Sequence, residues 1–174
     1  MSLLSAACTA GELCLPEAWT DAPIQQVELV PLQFHRDQRG WLAELFRRDE
    51  LPPCCWPAMG YVSQTEPGVA RGPHQHTHQT DVFVFLGPGE FQVVLWDVRP
   101  GSASRGHRMR LHLGASQPAR LVVPPGVVHG YRNVGREPGW VLNFPNQLYR
   151  GWNRQQPVDE LRWEQLRPEA FPWD

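Results

Sequence analysis

The sequence predicts an all-β protein, a small barrel or sandwich of many short strands. Three observations carry this. Short runs alternate with a two-residue apolar period, and most are bounded by Gly, Pro or Asn. The 18 prolines and 15 glycines are scattered between those runs as punctuation rather than gathered into a linker. Helix-period patterns are weak throughout. A chain of 174 residues, 41% hydrophobic and 20% charged, suits one globular domain with a sizeable core.

Taken in order, residues 1–25 read as an N-terminal arm and residues 26–174 as a single domain. The first strand is read over Gln26–Phe34, and Arg47–Leu51 as a short helical turn. Asp81–Leu86, with the sequence DVFVFL, is the clearest strand, and Phe91–Val98 follows it across the turn Gly87-Pro88-Gly89. Further strands are expected over Arg108–Leu113, Arg120–Val123, His129–Asn133 and Trp140–Phe144. Val158–Leu166 predicts one or two helical turns near the C-terminus. In DVFVFL, Val82, Val84 and Leu86 share one face, and Asp81, Phe83 and Phe85 share the other. Both faces are largely apolar, so cover is expected on both sides, from another sheet or from a second subunit. That expectation points to a homodimer.

Composition excludes several chemistries. All 16 basic residues are arginine. With no lysine there is no pyridoxal Schiff base, no lysine general base and no P-loop lysine. Any anion must be held by Arg, His or backbone N–H groups. A formal net charge of −2 gives no reason to expect nucleic acid or an anionic membrane as a partner. The stretch Arg105–Arg110 (RGHRMR) reads as a solvated face between two strands. Cys8, Cys14, Cys54 and Cys55 make no CxxC pair, and two of them are adjacent, so reduced thiols are expected. No run approaches the roughly 18 apolar residues of a membrane span. Met1–Cys14 lacks the positive region of a signal peptide. A cytoplasmic protein is the expectation. Trp41, Trp56, Trp96 and Trp140 receive no site role, because aromatic side chains more often fill a core.

The histidines carry the chemistry. His74, His76 and His78 fall in Arg71-Gly-Pro-His-Gln-His-Thr-His78, with Asp81 close behind. On a strand, His74 and His76 point to the same face. Much later comes Pro124-Pro-Gly-Val-Val-His129-Gly-Tyr-Arg-Asn133. His74, His76, Asp81 and His129 together are three imidazoles and one carboxylate, a ligand set for a divalent transition metal. Strand alternation puts Asp81 opposite His76 unless a bulge intervenes. A metal held there would take His74 out of use as a base, so the two uses compete.

These stretches resemble the two cupin motifs: His74, His76 and Asp81 match the first, and Pro124, Gly126, His129 and Asn133 the second. The resemblance implies a cupin β-barrel, a double-stranded β-helix or jelly roll, with short helical turns near the C-terminus. A narrower resemblance, to the dTDP-4-dehydrorhamnose 3,5-epimerase family, runs from about Pro31 to about Trp163. Its pieces are Asp37-x-Arg39-Gly40-Trp41-x-x-Glu44, Gly68-Val-Ala-Arg71-Gly-Pro-His74, Trp96-Asp97-Val-Arg99-x-x-Ser102 and Pro124-Pro-Gly-Val-Val-His129-Gly-Tyr131.

What that family does needs four things. It needs a base with a pKa near neutrality and a positive or hydrogen-bonding neighbour for the enolate. It needs arginines for the diphosphate and an apolar or aromatic wall for the nucleobase. The resemblance implies a cofactor-independent isomerase or epimerase acting on a dTDP-4-keto-6-deoxyhexose, in deoxysugar or cell-surface polysaccharide biosynthesis. It makes His74 the base, puts Arg39, Glu44 and Arg71 on the nucleotide and its phosphates, and makes His129 a further substrate contact.

Three positions depart from the family. Its Gln two residues after the base is His76 here, its Lys is Asp81, and its proton-donating Tyr is Asn143. Asn143 is then a substrate-binding position and Tyr149 the donor candidate, with Tyr131 behind it. Asp159 and Glu164 are candidates for the acid that partners the base. A single epimerisation, a keto-isomerisation or a changed sugar suits these departures better than double epimerisation. Two alternatives stand beside this reading: a metal-dependent cupin, either an oxygenase or a metal-assisted isomerase, and a non-catalytic sugar-nucleotide binder.

Overall fold

The computed structural model describes residues 15–174. Cys8, Cys14 and the beginning of the predicted arm lie outside the described residues. The strands are β1 (Thr20–Asp21), β2 (Glu28–Pro31), β3 (Phe34–Asp37), β4 (Gly40–Ala43), β5 (Tyr61–Thr65), β6 (Ala70–Gln75), β7 (Asp81–Phe85), β8 (Glu90–Asp97), β9 (His107–Gly114), β10 (Ala119–Val123), β11 (Val127–Asn133), β12 (Gly139–Asn143) and β13 (Leu161–Arg162). One sheet has the order β1-β9-β8-β11-β6-β13, and a second has the order β2-β10-β7-β12-β5. β3 and β4 form a separate hairpin. β1 pairs with β9 in parallel, and the other pairs are antiparallel. This is the all-β, cupin-like jelly-roll architecture that the strand pattern and the motifs predicted.

Alternation along each strand decides what is buried where. Phe83 and Phe85 of β7, Phe91, Val93 and Leu95 of β8, Leu121 and Val123 of β10, and Tyr131 of β11 meet in one core between the two sheets. Their outward neighbours in the six-stranded sheet, Val94, Trp96 and Val128, are covered by Trp163 and Phe171 from the C-terminal segment. Val82 and Val122, on the outer face of the five-stranded sheet, are covered by Leu51, Phe46 and Trp56. The doubly apolar β7 therefore finds its second cover in its own chain, and its composition alone does not require a second subunit. Each fully buried side chain of this size contributes about 1.5–3 kcal/mol, which is why the strands with two apolar faces form the middle of each sheet.

Several expected elements differ in detail. Gln26–Phe34 is not one strand: it breaks at Leu32–Gln33 into β2 and β3. Thr20–Asp21, inside the predicted arm, pairs with His107–Arg108, and Ile24 is buried in the main core. Arg47–Leu51 forms no helix. Its guanidinium at Arg47 is tied to Asp49 and Glu44, and Leu51 is pulled into the core. Of Val158–Leu166, only α1 (Trp163–Leu166) is helical, because Leu161–Arg162 is taken by the β-ladder to β6. Among the described residues no helix is long and apolar enough to cross a membrane.

Candidate active site

The ladder between β6 and β11 sets the site. His129 is opposite His74, but Tyr131 is opposite Arg71, so Gly72 and Pro73 together face the single residue Gly130. This is a β-bulge. Without it, Arg71 and His74 would point to opposite faces. With it, both take the face that His129 and Tyr131 share. Gly72 permits the bulge: its φ is +80°, and a Cβ there would stand 2.6 Å from the carbonyl oxygen of His129.

A cavity of about 970 Å³ opens over this face. Its walls include His74 and Arg71 from β6 of the six-stranded sheet, His76 directly after that strand, and Tyr61, Ser63 and Phe83 from the five-stranded sheet. The rings of His74 and His129 are 4.4 Å apart between centroids, and His76 lies 5.5 Å from His74 and 5.7 Å from His129. Asp81 reaches the same cluster from the facing sheet. Its Oδ2 lies 3.2 Å from His76 Nε2. It is also 3.3 Å from His129 Nε2, close but not aligned as a hydrogen bond. Asp81 Oδ1 accepts from Gln79 Nε2 (2.9 Å) and Asn143 Nδ2 (2.7 Å). Alternation expected Asp81 on the wrong face. The chain instead turns between His76 and Asp81 and crosses to the other sheet, so the rule for a single strand does not apply.

The protonation states follow from this packing. Burial alone would raise the Asp81 carboxyl, but the two histidine rings outweigh it and hold the group well below the usual carboxylate range. Burial works against the charged form of His76 too, yet the hydrogen bond and charge of Asp81 raise it to about 9. His74 moves the other way, well below its ordinary value, through burial and then the charges of His129 and His76. At neutral pH the site holds an imidazolium–carboxylate pair beside a neutral imidazole.

Tautomers are fixed by backbone carbonyls, which only accept. His129 Nδ1–H donates to the carbonyl of Val127 (3.0 Å), and His76 Nδ1–H to that of Asp159. Both Nε2 atoms are thereby turned toward Asp81. Ring nitrogens of His74, His76 and His129 lie within 4.8 Å of one another. The four residues named as a metal ligand set are thus brought together, and the second nitrogens of His76 and His129 are tied as outer partners of metal-bound histidines are.

The remaining predicted residues fall in three groups. Arg71 lines the cavity, with its guanidinium held by Thr65 Oγ1 (3.0 Å) and the carbonyl of Gln64 (2.8 Å). Tyr149 also lines it, at the mouth, and is 54% exposed. Glu164 lines it too, with Oε2 buried and unpartnered. Asn143 is buried behind the wall. Asp159 does not partner His74: its carboxylate accepts the backbone N–H groups of Thr77, His78 and Gln79, fixing the turn after His76. Arg39 and Glu44 do not reach this cavity within one chain. Arg39 lies at the tip of the β3–β4 hairpin, 86% exposed and paired with Asp37, and Glu44 pairs with Arg47. The stretch Trp96–Ser102 is structural: buried Asp97 binds Arg99, Ser102 and Ser104.

Sequence reasoning missed Tyr61 and the arginines of the mouth. Arg150 and Arg154 line the cavity and make no ion pair among the described residues, and Arg162 joins them from β13. Arg150, Asn153 and Arg154 all have positive φ, which concentrates backbone strain in the segment that borders the opening. An arginine followed by glycine in an irregular tail was the only signal available.

Residues 21–149 match the dTDP-4-dehydrorhamnose 3,5-epimerase family. The chain is 35% identical over 156 residues to the spore coat polysaccharide biosynthesis protein SpsL of Bacillus subtilis, covering 87% of this chain and 91% of that one. Its fold is similar to that of a dTDP sugar isomerase from Desulfovibrio desulfuricans, with a TM-score of 0.74, 24% identity, and coverage of 86% and 92%. It is also similar to dTDP-6-deoxy-D-glucose-3,5-epimerase RmlC of Legionella pneumophila, solved with dTDP-4-keto-L-rhamnose. There the TM-score is 0.72, identity 21%, and coverage 87% and 81%.

Proposed function

The chain belongs to the dTDP-4-dehydrorhamnose 3,5-epimerase family, and on that premise we propose that it epimerises a dTDP-4-keto-6-deoxyhexose by abstracting a proton next to the keto group with His74. The observation that carries this reading is the place of His74, on the wall of a cavity large enough for a sugar nucleotide and grouped with His129, His76 and Asp81. A base must be neutral to accept a proton. The enolate needs a positive neighbour. The family's lysine position holds Asp81 here, and the positive neighbour this chain offers is His76, paired with that carboxylate in the same cluster. Arg71, with Arg150 and Arg154 at the mouth, suits the diphosphate. His129 backs the base from β11, and Tyr149 sits where the nucleotide would enter. The reaction needs no cofactor. Spore coat polysaccharide biosynthesis, the role named for the Bacillus subtilis relative, supports a place in cell-surface polysaccharide assembly.

Arg39 and Glu44 enter this reading through a second copy of the chain. The β3–β4 hairpin packs as an isolated two-stranded unit, which is marginal alone. It also exposes Trp41 (51%) and Leu42 (61%). A homodimer would cover these and carry Arg39 and Glu44 toward the partner's cavity.

The test is proton NMR in heavy water with dTDP-4-keto-6-deoxyglucose. Deuterium is expected at a carbon beside the keto group, and not with His74→Ala. No deuterium entry with the wild-type protein would overturn the reading. A second reading is favoured by the assembled histidines: a divalent transition metal held by His74, His76, His129 and Asp81. Elemental analysis of protein purified without a histidine tag decides it, and sub-stoichiometric metal would end it.

A further inference from the structure

Inverting a carbon centre requires that a proton leave from one face and return to the other, so base and acid must stand on opposite walls. His74 belongs to the six-stranded sheet. Three tyrosines line the same cavity. Tyr131 is on β11, in the same sheet as His74, and its hydroxyl is engaged with Ser63 Oγ at 2.9 Å. Tyr149 is on neither sheet but in the mouth segment; its exposure, 54% against 47% for Tyr61, does not separate the two. Tyr61 alone of the three is on a strand of the facing sheet.

The surroundings of Tyr61 prepare its hydroxyl. Asn143, the position that resemblance gives to the family's tyrosine, is its cross-strand partner. Asn143 Nδ2 donates to Asp81 Oδ1 at 2.7 Å and to the Tyr61 hydroxyl oxygen at 3.0 Å. An ionised carboxylate only accepts, so Asp81 fixes which way the amide faces. Tyr61 is therefore the acceptor in its bond with Asn143, and its own O–H proton is unspent there. The residue as a whole is half exposed, yet desolvation on its cavity side raises this phenol to about 12, which keeps it protonated. The hydroxyl that the family carries on one strand is supplied here from the next strand over.

We propose that Tyr61 is the catalytic acid that returns a proton to the sugar on the face opposite His74, with Asn143 as its positioning residue. The assignment rests on the epimerase reading above. His74 takes the proton from the carbon beside the keto group, and the C–H electron pair becomes the enolate. The enolate pair then forms a new C–H bond with the Tyr61 hydroxyl proton from the other wall. The tyrosinate regains a proton from water, and the His74 imidazolium gives one up to water.

The test compares wild type and Tyr61→Phe in heavy water with dTDP-4-keto-6-deoxyglucose, following solvent deuterium and the inverted sugar separately by proton NMR. Tyr61→Phe is expected to keep deuterium entry into the starting sugar, within about threefold of wild type, because His74 still works. Its inverted product is expected to fall about a hundredfold or more. Inverted product at the wild-type rate from Tyr61→Phe overturns the assignment. Loss of deuterium entry along with inversion overturns it too, since that would put Tyr61 in the first step. Wild-type protein that exchanges no deuterium overturns the epimerase reading itself, an outcome separate from the other two.

Discussion

The carboxylate of Asp81 lies 3.2 Å from Nε2 of His76, and both side chains are buried. Asp81 opens β7 of the five-stranded sheet and His76 directly follows β6 of the six-stranded one, so the pair ties the two walls of the cavity together. Asp81 also fixes the Asn143 amide, and the turn between the two residues is held by Asp159. The centre of the site is thus one connected polar network, and its members depend on each other.

Removing one charge of that pair leaves the other buried without compensation. Asp81→Asn is expected to cost about 3–5 kcal/mol at neutral pH, measured by denaturant unfolding. A change below about 1 kcal/mol would mean that His76 is not held as an imidazolium.

Gly72→Ala tests the bulge. The residue has positive φ, and the new Cβ would meet the His129 carbonyl at 2.6 Å and His74 Nδ1 at 2.9 Å. The expected cost is about 1–3 kcal/mol, seen as a Tm lowered by several degrees. Activity should fall as well, because the bulge is what puts Arg71 and His74 on one face. An unchanged Tm would show that the ladder tolerates another phase.

Asp97 sets an acid limit on stability. Burial alone would raise its carboxyl, but Arg99, Ser102 and Ser104 outweigh that and hold it well below the usual carboxylate range. A depressed folded-state value means that the stabilisation is present above the ordinary carboxylate value and is lost as pH falls below it. Asp97→Asn should be less stable than wild type at pH 7 by about 2 kcal/mol. The gap in Tm should begin to narrow as pH falls below about 4 and go on narrowing toward lower pH. A gap that stays constant with pH would remove the carboxylate from the account.

Arg39→Ala separates binding from stability. The side chain is 86% exposed and, among the described residues, pairs only with its neighbour Asp37, so unfolding free energy should change by less than about 0.5 kcal/mol. If the hairpin serves a partner's cavity, KM should rise about tenfold or more while kcat holds. Trp41→Asp should shift the protein toward monomer in sedimentation velocity. A wild type that sediments as a monomer would remove the partner from the reading.

Much of the fold was legible. β7, β8, β10, β11 and β12 start or end within about two residues of where alternation put them, because each has at least one face that must be apolar. β5 was missed because YVSQT is an edge strand, mostly exposed, with little apolar pattern to read. β6 is hidden by Gly72-Pro73, which looks like a stop and is a bulge. The helix expected over Val158–Leu166 yielded its first part to the β-ladder, since backbone pairing with β6 outweighs a weak helical preference in so short a segment. In the site, the absence of lysine and the grouping of His74, His76 and His129 were visible in the residues and motifs themselves.

What the sequence determined by itself was which residues share a face within a strand, and which chemistries the chain lacks the side chains to perform. Only the tertiary structure decided that Asp81 faces His76 from the opposite sheet, and that Arg71 and His74 point the same way. It also decided that Asn143 stands beside Tyr61, and that Arg39 stays outside its own cavity. The physical reason is that strands pair through backbone N–H and C=O groups, which almost every residue supplies. Alternation therefore fixes the phase within a strand but leaves its neighbour and register open until the whole core is packed.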